Sequence, residues 1–402
     1  MQKLLIFINH FFNYFFYKIK LKKIKKLNIK HLFFSDKKFY YNKFKGKYIN
    51  NLIDPYFDLL TNEKKLKIEI IQNVIPNKPK LFKPTYLNLY SVGILNLIFY
   101  KFNFLSKIKF RNEFYLKINK IEKKYLLKLD KFQINKDLEN IILQSTIFEK
   151  ILKNINPKIV YISCYYSLEN FAISYACNKL KIKCIDIQHG GIENYHLMYS
   201  NWNSININKN NLLPKNFMIW DKRQITNKTL PNKKIANYSE VGKLPIKYWS
   251  QNKTDSDDYT NLNTRNFLES TKKYKRVILV CLTTIFPPQV IRLINSTPTN
   301  YFWLIRSHPR HGNLNNLHKI LKKKIKNNRK YNLILASTID INFLLEISNR
   351  FITDYSSTIY DADYFKIPKL SIQKKNHLFE SWKRNKICIF ETKDNKIKQF
   401  LK

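Results

Sequence analysis

Two short segments in the same context constrain this chain more than anything else in it. Tyr301-Phe302-Trp303-Leu304-Ile305 leads into His308-Pro309-Arg310, and Arg350-Phe351-Ile352-Thr353 leads into Asp354-Tyr355-Ser356-Ser357-Thr358. Each run has strand length, ends in turn residues and is followed by a helical pattern. Strand, turn and helix repeated in that order predict an open parallel α/β sheet, because parallel neighbours need a crossover and the crossover is usually a helix. Both motifs then lie at the carboxyl ends of strands, where such sheets present residues to a ligand. Ser356, Ser357 and Thr358 would open a helix, and free N–H groups with small hydroxyls beside them suit a phosphate.

The same order occurs upstream. Ile159 to Cys164 reads as a strand, Leu168 to Leu180 as a helix, and Ile182 to Ile187 as a strand running into Gln188-His189-Gly190-Gly191. A further strand is expected at Phe217 to Trp220, and Glu113 to Lys153 is helical in pattern. Ser250 to Lys273 is polar, with little apolar content, and reads as a connection between domains. A second α/β series starts at Arg276, with helices Pro288–Asn295, Leu314–Lys326, Ile341–Ile347 and Ser357–Tyr364 and strands at Leu333–Leu335 and Lys369–Ile372. A chain of 402 residues accommodates two cores. The expected division is an α/β domain over 1–249 with a basic helical N-terminal part, a polar linker over 250–273, and a Rossmann-like domain over 274–402.

The formal net charge of +45 would attract anionic lipid, nucleic acid or anionic substrates. Abundant Lys, Asn, Ile, Phe and Tyr with scarce Gly and Ala resemble an AT-rich coding sequence, so compositional drift is the alternative source of the charge. The five cysteines (Cys164, Cys177, Cys184, Cys281 and Cys388) form no CxxC pair and no zinc-site spacing with histidine, which fits buried thiols in a reducing compartment. Leu4 to Tyr17 is apolar and aromatic and Lys18 to Lys26 is basic, the wrong order for a signal peptide and too short to span a bilayer. A first strand and helix of the fold are expected there, with an interfacial helix as the alternative. Leu87 to Leu105, interrupted by Asn88, Ser91, Asn96 and Lys101, is expected to be a buried helix.

Three constellations carry chemistry. A neutral imidazole at His189 could take a proton from an attacking hydroxyl, with Gly190 and Gly191 allowing close approach; a structural histidine in a turn is the bland alternative. His308 is flanked by Arg306 and Arg310, whose planar forks match phosphate, and Pro309 fixes the turn. Asp354 with Ser356, Ser357 and Thr358 could be a helix cap alone, but its place after a second strand-end motif favours a donor site. Asp255-Ser256-Asp257-Asp258 looks like a carboxylate pair for a metal, yet lies in the polar connection, so no metal is expected.

A His-Gly turn in the first half, then Val241-Gly242, a strand-end His-Pro and a Ser-Ser/Thr helix start resemble GT-B glycosyltransferases that use cytidine-nucleotide donors. Capsular Kdo transferases show a Gln-His-Gly turn and a His-Pro. Sialyltransferases carry His-Pro and Ser-Ser/Thr motifs, but their acidic motif before a glycine is absent here. Thr353-Asp354-Tyr355-Ser356-Ser357 matches a segment of CDP-glycerol glycerophosphotransferases residue for residue. The resemblance implies two facing Rossmann-like domains with a cleft between them. It implies transfer of a sugar or polyol-phosphate from a CMP- or CDP-linked donor to a surface or capsular polysaccharide. His189 would be the base, with Glu193 second. Arg306, His308, Pro309, Arg310, Asp354, Ser356, Ser357 and Thr358 would hold the donor, and Gln188, Gly190, Gly191, Gly242 and Lys243 would line the cleft. No cofactor beyond the nucleotide donor is expected. A glycan or lipid-linked acceptor and a peripheral contact with an anionic membrane on its cytoplasmic face would suit the charge. A basic RNA-associated binding protein and an inactive transferase-like scaffold are the competing readings.

Overall fold

A computed structural model describes residues 28–36, 40–70, 87–88, 112–125, 128–192, 198–199, 212–225, 236–308, 311–327, 330–372, 382–383 and 386–402. Leu4–Tyr17 and Lys18–Lys26 lie outside the described residues. So do Glu193, Pro309, Arg310 and all of the expected 87–105 helix except Leu87 and Asn88, which form a strand instead.

The first half contains β1 (His31–Asp36), the hairpin β2 (Tyr40–Phe44) and β3 (Lys47–Asn50), α1 (Asp54–Leu59), β4 (Lys65–Ile70), β5 (Leu87–Asn88), α2 (Asn112–Tyr125) and α3 (Lys131–Ile155). It continues with β6 (Ile159–Ser163), α4 (Leu168–Lys179), β7 (Lys183–Ile187), β8 (Asn216–Ile219) and β9 (Asn237–Glu240). Helices α5 (Leu244–Asn252), α6 (Asp257–Thr260) and α7 (Leu262–Thr271) connect the halves. The second half contains β10 (Arg276–Leu282), α8 (Pro288–Ser296), β11 (Tyr301–Ser307), α9 (Leu314–Lys324), β12 (Tyr331–Asn332), α10 (Ile334–Thr338) and α11 (Ile341–Ile347). It ends with β13 (Arg350–Thr353), α12 (Ile359–Tyr364), β14 (Lys369–Ser371), β15 (Ile389–Phe390) and α13 (Asp394–Leu401).

One sheet has the order β5-β4-β1-β6-β7-β8-β9 and the other β12-β11-β10-β13-β14-β15, and every pairing in both is parallel. Counted from its own first strand, each sheet runs 3-2-1-4-5-6, the order of a doubly wound Rossmann sheet, with a seventh strand on the first. Strands covered on both faces read as continuous apolar runs, as Val277 to Leu282, all buried, illustrate. Each sheet has two apolar clusters of its own, marked by Phe148 and Phe33 on the first and by Trp303 and Phe351 on the second.

One local expectation fails for a physical reason. Leu333–Leu335 is not a strand: Leu333 precedes α10 and Ile334 and Leu335 open it, because the Asn332 side chain accepts from Leu335 N at 2.9 Å and turns the chain into a helix. The polar stretch 250–273 is helical, and Phe267 and Leu268 pack on the second sheet's cluster. Its carboxylates bind the hairpin β2–β3, whose turn residues Lys45 and Gly46 have φ of 50° and 71°. Asp255 pairs with Lys45 at 2.9 Å and Asp257 accepts from Gly46 N at 2.8 Å. Phe44 and Ile49 of this hairpin are buried in the second sheet's cluster, so an arm from the first half grips the second.

Candidate active site

Strand register aligns the motifs of the second sheet. Leu282 pairs with Ser307 and Cys281 with Thr353, so Thr283, His308 and Asp354 leave the sheet at one edge. This is the switch point between β10 and β13, where the strand order reverses. Asp354 is buried, and its carboxylate accepts from Thr283 N (3.0 and 3.1 Å), Thr284 N (2.9 Å), Thr284 Oγ1 (2.8 Å) and Tyr355 N (2.6 Å). These donors use its acceptor capacity, so Asp354 organises two loops and does not offer a side chain to a ligand. Ser356, Ser357 and Thr358 form a turn ahead of α12, which starts at Ile359 and not at Ser357. Ser356 N donates to Thr353 Oγ1 at 2.9 Å, and Ser356 Oγ donates to Thr358 Oγ1 at 3.0 Å. Ser357 is exposed.

His308 is half-buried at this edge, with its ring 5.9 Å from that of His311. His311 was not among the expected site residues. Its Nδ1 meets Ser307 Oγ at 3.0 Å and its Nε2 meets the Thr283 carbonyl at 2.9 Å, which ties the β11 loop to the β10 loop. Arg306 departs from expectation. Its Nη1 donates to the carbonyls of Ala336 (2.9 Å) and Ile339 (2.6 Å), closing the end of α10, so part of the guanidinium is structural.

At the carboxyl edge of the first sheet, Gln188 is buried and also structural. Its Nε2 donates to Gly190 O and Gln224 Oε1, both at 2.7 Å, and its Oε1 accepts from Trp220 N at 2.7 Å. These bonds fix the turn that carries half-buried His189, whose Nε2 lies 3.0 Å from Tyr166 OH. Gly190 leaves open space where a Cβ would stand, which admits a ligand close to the backbone; Gly191 follows it, half-buried. Beneath the turn, Asp186 is buried and accepts from Tyr165 N (3.1 Å) and Tyr199 OH (3.0 Å). Burial pushes its carboxyl up to about 8, against the pull of those two bonds.

The two edges meet through Lys243. Gly242 has φ of +67°, a conformation that favours glycine, and it sets Lys243 against α12. Lys243 Nζ pairs with Asp361 and lies 4.2 Å from the Trp220 ring centre and 5.5 Å from that of Tyr360. Burial lowers its pKa and Asp361 opposes that shift. Gly242 and Lys243 are therefore a junction between the halves, and Lys243 is not an open cleft residue as expected. Trp220, bonded to Gln188 on one side and 6.3 Å from Tyr360 on the other, links the His189 turn to the helix after Ser356-Ser357-Thr358.

Residues 287–384 match the family of CDP-glycerol:poly(glycerophosphate) glycerophosphotransferases. That match covers about a quarter of the chain, and the fold around it is of the GT-B type. No curated protein matches the chain. Among solved structures, the UDP-GlcNAc 2-epimerase of Methanocaldococcus jannaschii is similar at 15% identity and a TM-score of 0.55, with 92% of this chain and 91% of that one covered. The UDP-GlcNAc 2-epimerase of Neisseria meningitidis follows at 12%, 0.48, 88% and 85%. The wall teichoic acid polymerase TagF, in a structure soaked with CDPG, gives 12%, 0.44, 98% and 88%. The likeness to the first of these, at 15% identity, concerns the fold alone.

Sequence reasoning missed Thr283, Thr284, His311, Tyr166 and Asp186. The two threonines follow a buried strand, and His311 falls three residues after His308, so position alone could have flagged them. Tyr166 and Asp186 carry no motif.

Proposed function

We propose that the chain transfers a polyol phosphate, glycerol phosphate first among candidates, from a CDP-linked donor to a hydroxyl of an anionic surface polymer. The observation that carries this reading is the match over 287–384, which spans both His308 and the Asp354–Thr358 turn. The second half holds the donor, with His308 and the exposed Ser357 at the phosphates and the Ser356–Thr358 turn beside them. The first half receives the acceptor. His189 takes the proton from the acceptor hydroxyl as its oxygen attacks the donor's β-phosphorus. The P–O–P link breaks and CMP leaves with the bonding electrons. Basic side chains neutralise the phosphate charge, and no metal or further cofactor takes part. Contact with an anionic membrane through residues before Leu27 brings the enzyme to a lipid-linked acceptor on the cytoplasmic side.

The test is CMP release by the purified protein from CDP-glycerol with a poly(glycerophosphate) acceptor, with CMP- and UDP-linked donors in parallel. His308→Ala and Ser357→Ala should each weaken cytidine-nucleotide binding by about 10–100-fold, the worth of a hydrogen bond to a charged group. Thermal stabilisation by UDP but not by CDP or CMP would overturn the donor assignment.

A further inference from the structure

The surroundings of His189 assign a residue that carries no motif. We infer that Tyr166 is the positioning residue for the His189 imidazole, holding Nε2 through its phenol so that the ring keeps one orientation and one tautomer, with the buried Nδ1 as the nitrogen that takes the proton once an acceptor enters beside Gly190. The inference rests on the reading of His189 as base.

Tyr166 is placed with unusual care for a loop residue. At the end of β6, Cys164 adopts φ of +59°, a left-handed conformation that non-glycine residues seldom take. That reversal sends Tyr165 into the core, where it is fully buried, and leaves Tyr166 at the rim. Three independent groups hold the loop in this shape. Asp186 Oδ1 accepts from Tyr165 N at 3.1 Å. Asn170 Nδ2 donates to the carbonyls of Ser163 (2.6 Å) and Cys164 (3.2 Å). Ser167 caps α4. Tyr199 completes the enclosure: its ring stands 5.3, 6.0 and 6.3 Å from those of Tyr165, Tyr166 and His189, and its hydroxyl donates to Asp186. The phenol therefore meets His189 Nε2 at 3.0 Å with little freedom to drift. A general base gains when neighbouring groups fix its tautomer and direction, and a neutral phenol can do so without adding charge. Among the described residues, Tyr166 from the β6–α4 loop and Tyr199 stand against the imidazole, and Tyr165 and Asp186 pack behind them. Burial holds the phenols of Tyr165, Tyr166 and Tyr199 above their ordinary range, so each keeps its proton while the imidazole titrates.

Tyr166→Phe keeps the ring and removes the hydroxyl. In the full-length enzyme it should lower kcat roughly 10–100-fold, with KM for the donor nearly unchanged. The phenol oxygen accepts from the imidazolium N–H, so its loss should also move the acid limb of the pH–rate profile downward by about one unit. Nitrogen-15 NMR of the imidazole, which needs no substrate, should show a single Nε2-protonated neutral tautomer in the wild type and a mixture in the variant. Unchanged kcat, pH limb and tautomer in Tyr166→Phe would overturn the inference alone. Full activity in His189→Ala would overturn the base assignment beneath it, while the NMR readout would still report on the contact.

Discussion

At the carboxyl edge of each sheet a buried aspartate ties down the loop of a neighbouring strand, but the two aspartates keep different company. Asp354 gathers two loop N–H groups and a hydroxyl from the β10 loop, with Tyr355 N besides. Asp186 receives one N–H and one tyrosine hydroxyl within a cage of aromatic rings, and burial pushes it up to about 8. The second edge is thus pinned mainly by backbone donors, and the first by packing around an acid whose carboxyl burial pushes up. Pinning by backbone donors suits a site that must hold a multiply charged phosphate in a fixed pose. Aromatic packing around a buried acid suits a site that must handle one proton. In the proposed reaction these are the donor and acceptor tasks.

That division of labour breaks most visibly at the histidines. His189→Ala should lower turnover by about 10²–10⁴-fold, the usual worth of a positioned base, with nucleotide affinity almost intact. His308→Ala should show the reverse pattern, chiefly weaker nucleotide binding. Steady-state kinetics with nucleotide titration separate the two, and matching profiles would dissolve the contrast.

The next effect belongs to Asp186. Its folded pKa stands near 8 against an ordinary value of 3.8. The folded state therefore binds a proton that the unfolded chain has released between those values, and its contribution to stability is full below about 4 and is lost as pH rises toward 8. The slope is about 1.4 kcal/mol per pH unit at its steepest. Asp186→Asn, which keeps the shape and cannot ionise, should raise stability at pH 8 relative to wild type and flatten that part of the profile. Denaturant melts at pH 5, 6.5 and 8 measure it, and parallel wild-type and variant profiles would show that Asp186 stays ionised.

How much of this was legible in the sequence differs between the edges for a physical reason. The second edge advertises itself, because Trp303, Leu304 and Phe351 lie in strands covered on both faces, and the motif residues follow at once. The first sheet hides its opening strand: β1 reads His-Leu-Phe-Phe-Ser-Asp, with polar ends that break the apolar run although all six residues are buried. Asp354 and Arg306 were legible by position but not by role, because nothing in a sequence says which way a side chain turns. The Lys243 contact and the hairpin arm join residues more than a hundred positions apart, and no local pattern encodes such pairs.

Asp354→Ala should leave Thr283 and Thr284 without their shared acceptor. The loop is only half-buried, so water can repair part of the loss, and a cost of about 2–3 kcal/mol follows. Nucleotide affinity should fall with it, because the loop that Asp354 holds borders the donor edge. Retained stability with lost affinity would instead make Asp354 a direct donor contact, and would undo its role as the second edge's counterpart of Asp186.

The smallest effect should come from the junction. Lys243 is buried against Trp220 and Tyr360, and Asp361 is its partner across the two halves. Desolvation outweighs the pull of Asp361 and lowers the lysine pKa, so the pair returns in attraction less than its burial costs. Lys243→Met alone strands a partly buried carboxylate and should cost about 1–3 kcal/mol. Asp361→Asn alone strands the ammonium, with a similar cost. The double variant has no stranded charge, and methionine restores the apolar stem against the two rings. It should therefore lie within about 1 kcal/mol of wild type, and the double-mutant cycle should give a coupling of about 0.5–3 kcal/mol. Donor affinity sharpens the result, because α12 follows directly on the Ser356–Thr358 turn. If the pair only joins the halves, the double variant binds nucleotide as the wild type does. If instead it recovers stability but not affinity, Lys243 acts on the donor edge through α12, and the two edges are one site rather than two.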